Sequence, residues 1–194
     1  MILLDINKIE DVLRRSLSEK RFNHSIGVRD EAKKLAVRYN ADPEKAYIAG
    51  LVHDCCKTFD LSKSLELCRK YDIRFDEMTM SSKPLIHAPL GAEYARREFD
   101  IDDREILDSI AYHTTGRADM TMLDKIIYIS DYIEPTRSGY WLPAMRLLAY
   151  DNIDDAVRYG LHLSIVYVMD KNEPLHIDTI NARNQLLMEG SYVS

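Results

Sequence analysis

The chain has 194 residues, 46% of them hydrophobic and 30% charged, with a net charge of −6 at pH 7 and a pI near 5.5. That length suits one domain with a sizeable core, and the acidic balance excludes a general nucleic-acid binder built on a basic stripe. No stretch approaches the roughly 20 apolar residues that a membrane span needs. Met1 to Asp5 is too short in apolar residues for a secretory leader, so a cytoplasmic protein without a membrane partner is expected. Cys55, Cys56 and Cys68 are an odd number, and the first two are adjacent, which predicts reduced thiols and no zinc ribbon.

Helix-period patterns dominate from the start. Ile6, Ile9, Leu13 and Leu17 predict a first amphipathic helix, and Val28, Ala32, Leu35, Ala36 and Tyr39 a second, ending near Asn40. Asp42-Pro43 is an N-cap followed by proline at the first helical position; the third helix then runs to His53-Asp54. Ser62 is expected to open a short helix to about Tyr71, and Arg74 to Pro84 to form a loop. The next helix is expected from about Pro89 to Phe99. Asp102 with Glu105 resembles a capping box for a helix ending at His113, and Thr121 with Asp124 opens one ending near Asp131, stopped by Pro135. Asn152 or Asp154 opens a long helix through Val168, and a last helix covers about Thr179 to Met188, ended by Gly190. No strand pattern survives, so the expected fold is all-α: a compact bundle of about nine helices forming a single domain over residues 1–194.

The chemistry-bearing residues fall at helix ends. His53, Asp54, His113 and Asp131 stand at or near the C-terminal ends of apolar helices, and His24 in the first turn of another. Any one of these histidines, or His87, would by itself be read as a capping or satisfied core residue, and His162 is expected in the core. Together they read differently. Unpartnered polar groups at the buried ends of apolar helices are expensive, and one shared ion explains several at once. Imidazole with carboxylate is a donor set for a borderline divalent metal. Asp131 sits where the helix dipole disfavours negative charge, a cost that a metal would offset.

These residues carry a resemblance. His24, His53-Asp54 and Asp131 resemble the H…HD…D signature of the HD-domain phosphohydrolases. His53-Asp54-x-x-Lys57, His87, His113-Thr114-Thr115-Gly116, Asp131-Tyr132-Ile133-Glu134-Pro135-x-Arg137 and Leu175-His176-x-Asp178-Thr179 narrow it to the YqeK-type family, over most of the chain from Arg21 to about Arg183. That family consists of bacterial enzymes that split diadenosine tetraphosphate symmetrically. The resemblance implies an HD-domain helical core over about 20–140, completed by the C-terminal helices. It implies a divalent transition metal held by His24, His53, Asp54 and Asp131: iron first, with Mn, Co, Ni or Zn also fitting, as one ion or two. His87 and His113 would ligate a second ion or contact phosphate.

The chemistry implied is attack of a metal-bound hydroxide on an inner phosphorus, giving two ADP. Lys57, Arg137 and Thr114 are then candidates for catalysis and phosphate binding, and Arg21, His176, Thr179 and Arg183 for substrate binding. Trp141, Tyr112, Tyr128, Tyr132 and Tyr140 could stack a base or simply pack, and Met78, Met80, Met120 and Met122 are expected to pack. The competing reading is another HD-type nucleotide phosphohydrolase or phosphodiesterase. A homodimer is compatible with exposed apolar positions.

Overall fold

The structure, a computed structural model, describes residues 5 to 191. Eleven α-helices and no strand occur among them: α1 (Ile6–Ser16), α2 (Glu19–Arg38), α3 (Pro43–Val52), α4 (Leu61–Lys70), α5 (Glu77–Ser81), α6 (Lys83–Glu98), α7 (Arg104–Tyr112), α8 (Met122–Ile133), α9 (Leu142–Asp151), α10 (Ile153–Asp170) and α11 (Ile177–Ser191). The all-α expectation holds, with more helices than expected. None of the described helices is long and apolar enough to cross a membrane.

Side-chain caps set most helix starts. Asp5, Ser18, Asp42, Asp60, Asp76, Asp103 and Asn152 each accept a hydrogen bond from a first-turn backbone N–H. Thr121 and Asp124 form a reciprocal capping box on α8. Helix ends use asparagine and aspartate where glycine is commoner. Asn40, Asp72 and Asn172 adopt φ of 54°, 53° and 55°. Behind them Ala41, Ile73 and Glu173 donate backbone bonds to Ala36, Cys68 and Val168, closing the carbonyls of the last turn. A chain with seven glycines can therefore still turn sharply after its helices.

Four helices form the centre. α2 packs on α3 and α8, α7 packs on α8, and α3 packs on both α7 and α8. α8 is apolar nearly all round, with Leu123, Ile126, Ile127, Tyr128, Ile129 and Ile133 buried, as a helix enclosed by neighbours must be. α6 covers α7, while α9 and α10 close the other side of α8, and α11 lies on α10. α2 and α3 approach closely at Gly50, where a Cβ would stand 2.9 Å from Cα of Arg29 in α2. This contact brings the end of α3 down beside the start of α2.

Several sequence expectations are corrected. The stretch 74–84 is not one loop: it holds the single-turn α5, too short to show a period, and the start of α6. Pro89 does not start a helix but lies inside α6, whose first turn takes Pro84. The backbone bond lost at Pro89 costs about 3 kcal/mol. Burial of Ile86, His87, Ala88 and Leu90 on that helix offsets it. The caps of α4 and α7 are Asp60 and Asp103, not Ser62 and Asp102. α2 begins at Glu19, so His24 stands in its second turn. α9 was missed, although Leu142, Met145 and Ala149 give it a buried face. Gly190 lies within α11 and does not end it. His162 is exposed, not core, and Met80 and Met122 are also exposed.

Gly50→Ala should cost about 1–3 kcal/mol of stability in a urea melt, because the atoms it strikes are backbone and cannot rotate away. Unchanged stability would show that α2 and α3 can separate without loss.

Candidate metal centre

The central helices converge at one end. α2 supplies Arg21 and His24; His53 is the C-cap of α3, and Asp54 and Lys57 lie in the turn behind it. α6 supplies His87, α7 ends on His113, and α8 carries Asp131 in its last turn. His24, His53, Asp54, His87 and His113 are all buried.

Backbone and side-chain acceptors fix the four imidazoles in one tautomer. Nδ1 of His53 lies 2.8 Å from the Gly50 carbonyl, that of His87 2.7 Å from Pro84 O, and that of His113 2.7 Å from Ile110 O. Nδ1 of His24 lies 3.0 Å from Oε1 of Glu134. A carbonyl or carboxylate only accepts, so each ring donates from Nδ1 and leaves Nε2 bare when neutral. The same three-residue reach back to a carbonyl at the end of a helix turn recurs in His53, His87 and His113. At the C-terminal end of α3 it also satisfies the Gly50 carbonyl, one of those a helix end leaves without an intrahelical partner.

Those bare nitrogens face the carboxylates. His24 Nε2 stands 3.0 Å from Oδ1 of Asp131. Oδ2 of Asp54 lies 3.6 Å from His53 Nε2 and 3.8 Å from His24 Nε2; its Oδ1 lies 3.2 Å from His87 Nε2 and 3.5 Å from His113 Nε2. The Nε2 atoms of His87 and His113 are 3.1 Å apart, so two lone pairs point at the same space and call for a cation or a shared proton. His24 Nε2, His53 Nε2 and Asp54 Oδ1 are buried without a hydrogen bond of acceptable geometry. Such orphaned atoms are costly. Two sets of ligand atoms each lie within 4.8 Å of one another: His24, His53 and Asp131, and His53, Asp54 and His113. The donor chemistry fits a divalent transition metal.

Charge is balanced around the cluster. Burial pushes His53 down to about 3 and His87 down to about 4, so both rings are neutral near pH 7. Burial opposes ionisation of Asp54, but the surrounding imidazoles and Lys57 hold its carboxyl well below the usual range. Asp131 is likewise depressed against burial, by His24, Arg137 and His53. His24 is raised in spite of burial, because Asp131 and Glu134 flank its ring. Burial lowers Lys57.

The cations expected to meet phosphate have partners within the cluster. Nη1 of Arg21 pairs with Oδ2 of Asp54 at 2.5 Å. Arg137 donates from Nε to the Asp131 carbonyl at 2.6 Å and from Nη2 to its carboxylate, which offsets the unfavourable helix-end charge. Lys57 Nζ lies 3.0 Å from Nε2 of His87, and the Thr114 hydroxyl lies 3.3 Å from Nε2 of both His87 and His113.

Two clefts open beside the cluster and meet at Thr114. One, of about 500 Å³, is lined by Lys57, Asp131, Tyr132, Arg137, Trp141 and Tyr167. The other, of about 260 Å³, is lined by Phe75, Asp76, Thr79, Tyr112, Thr115 and His176. His176 is therefore at a cleft wall, 3.3 Å from the Thr79 hydroxyl, where it ties the segment before α6 to the start of α11. Thr179 is buried in the first turn of α11. Arg183 departs from expectation: it lies one turn further along α11 than Thr179 and lines a separate groove beside α10, with Tyr159, His162 and Leu187. Of the aromatic candidates, Tyr128 is buried core and Tyr140 is exposed. Sequence reasoning missed Glu134 as a site residue, although it stands in the quoted motif three residues after Asp131 and is fully buried.

Neutral burial of imidazole has a pH signature. Unfolded imidazoles take up protons below about 6.5, while His53 and His87 stay neutral in the fold to about 3 and 4. The unfolded chain then binds more protons, so stability falls as pH drops from 7 toward 5, by up to about 1.4 kcal/mol per pH unit for each ring. His24, being raised, contributes stability that is complete below 6.5 and fades as pH rises through its folded value. Asp54 and Asp131 contribute stability that is lost only at still lower pH. Melts of chelator-stripped protein should show a midpoint falling from pH 7 to 5, and His87→Gln should flatten that slope by about one proton. A pH-independent midpoint would contradict neutral burial.

Comparison with known proteins agrees with this geometry. The model of the HD domain matches residues 21–136, which span α2 to the turn after α8. A symmetrical bis(5'-nucleosyl)-tetraphosphatase of Halalkalibacterium halodurans is 37% identical over 94% of this chain and 97% of its own length. One from Staphylococcus aureus is 35% identical over 93% of this chain and 94% of its own. The crystal structure of an HD superfamily hydrolase from Clostridium acetobutylicum, described as involved in NAD metabolism, superposes with a TM-score of 0.92 at 41% identity, covering 95% of this chain and 98% of that one. The chain belongs to the HD-domain family and, within it, to the family of the symmetrical bis(5'-nucleosyl)-tetraphosphatases.

Proposed function

We propose that this chain hydrolyses diadenosine tetraphosphate symmetrically to two ADP, with iron in its metal centre. The observation that carries this reading is the position of the buried His/Asp cluster where two clefts meet at Thr114. A dinucleoside polyphosphate has two nucleosides joined by a chain of phosphates. A cleft that reaches the cluster, adjoined at Thr114 by a second one, gives room for two nucleosides about a chain cut in its middle.

The donor atoms divide about Asp54. Its Oδ2 lies on the side of His24 and His53, with Asp131 beyond, and its Oδ1 on the side of His87 and His113. In this reading Asp54, Asp131 and the bare Nε2 atoms would hold one divalent ion or two. Bound divalent ions supply Lewis acidity toward phosphoryl oxygens and an acidified water.

The protein's own residues do the rest. Asp54 and Asp131 stay ionised, so the centre does not lose its ligands to protons near neutral pH. Lys57 has a third of its side chain exposed and lies beside His87, which puts a cation where phosphoryl charge grows in the transition state. Arg137 holds Asp131 with Nε and Nη2, lines the larger cleft and leaves Nη1 for a phosphate oxygen. Trp141 and Tyr132, edge to face at 5.7 Å, give that cleft an aromatic wall for a base.

Chromatography of the products should give ADP alone from diadenosine tetraphosphate, with no ATP or AMP. Release of triphosphate from deoxynucleoside triphosphates, without cleavage of the dinucleotide, would sink the proposal. Asp54→Ala should lower turnover more than tenfold and reduce the metal content of anaerobically prepared protein, which elemental analysis should find to be iron. Arg137→Lys keeps the charge and loses the fork. It should lower kcat/KM by about tenfold, a loss of roughly 1.4 kcal/mol.

A further inference from the structure

Glu134 is the C-cap residue of α8, and its side chain is fully buried. Oε1 accepts from the Thr136 hydroxyl at 2.5 Å and from Nδ1 of His24 at 3.0 Å, while Oε2 accepts the Thr136 backbone N–H at 2.6 Å. Three donors converge on one carboxylate, so its plane is set. His53, His87 and His113 all lean on backbone carbonyls of their own helix turn. His24 leans on a charged group from another helix.

Gly27 supplies an independent observation. It lies inside α2, one turn after His24, with an ordinary helical φ, so the backbone there does not require glycine. Glycine in a helix interior is about 1 kcal/mol less favourable than alanine. What a side chain would meet is Glu134: a Cβ at position 27 would stand 2.5 Å from Oε2 and 3.3 Å from Cβ of Glu134. Helix stability is given up at this point, and room for the carboxylate is what it obtains.

We infer that Glu134 is a positioning residue of the metal centre, holding His24 in the Nδ1–H tautomer with Nε2 aimed at the cluster, and that Gly27 keeps open the space this carboxylate needs. A carboxylate on the far nitrogen also makes an imidazole a more basic ligand, and losing such a partner typically weakens metal binding about 10–100-fold. The inference rests on the reading of His24 as a metal ligand. It does not depend on the substrate.

The test is titration of chelator-stripped protein with Co(II), read by calorimetry and by the visible ligand-field band, on wild type, His24→Ala, Glu134→Gln and Gly27→Ala. Glu134→Gln preserves shape but presents an amide where three donors converge. Gly27→Ala changes no polar group and should fold at least as readily as a helix. Both should bind Co(II) about 10–100-fold more weakly per folded protein and with an altered band, beyond what any fall in the metal-free melting temperature accounts for. Wild-type affinity and band in both variants would overturn the inference, as would weakening that merely follows loss of folded protein. Wild-type binding in His24→Ala would overturn the ligand reading itself, and the inference with it.

Discussion

The structure turns on the burial of four imidazoles that must all present Nε2 to one small, dry volume. Each ring achieves this by giving its Nδ1–H to a fixed acceptor: Gly50, Pro84 and Ile110 carbonyls for His53, His87 and His113, and Glu134 for His24. With those protons placed, Nε2 of His24 and of His53 has no hydrogen-bond partner, while Lys57 and Thr114 lie beside Nε2 of His87 and Thr114 beside that of His113. Asp54 and Asp131 then stand among bare nitrogens and guanidinium groups, ionised in spite of burial. The cluster is a set of lone pairs held apart by the scaffold, and a divalent cation is what such a set accommodates.

The rest of the fold is arranged to hold those acceptors. All four are on or beside helix ends, so the register of each helix end decides where a nitrogen points. The close passage of α3 over Arg29 at Gly50 sets the distance between His24 and His53, whose rings meet edge-on at 5.3 Å. The apolar girth of α8 lets five neighbours pack round it while its C-terminal end delivers Asp131 and Glu134 to opposite sides of His24. A shift of any one helix by a fraction of a turn would misdirect a ligand. Rigid packing and a pre-formed centre are therefore the same requirement.

Function follows from what the cluster faces. Its buried side is occupied by second-layer partners, and its open side by Lys57, Thr114 and Arg137 at the meeting of two clefts. Arg21 and Arg137 serve the carboxylates first. Arg137 also lines the larger cleft, so a cation stands at the cluster's opening in a chain with net charge −6.

The sequence by itself determined what local chemistry determines. Periodicity marked the amphipathic helices as α-helical. Asp42-Pro43 and Thr121…Asp124 marked two starts, because a cap acts within one turn. The positions of His53, Asp54, His113 and Asp131 at or near the C-terminal ends of apolar helices were likewise legible, while His24 stands one turn further into its helix than its sequence context predicts. Features decided by distant contacts were not. Pro89 looked like a helix start, yet burial of its neighbours carried α6 through it. His162 looked like core by its apolar surroundings on α10, yet that face is left uncovered. Arg183 belonged to the right segment but lies a turn further along α11, in a groove beside α10. Glu134 read as part of a motif without a task, since only the packing of α2 on α8 brings its carboxylate to His24 and gives Gly27 a reason. Local propensities and caps are written in a few adjacent residues; which nitrogen is bare, and what it faces, depends on residues up to 110 positions apart meeting in a packed interior.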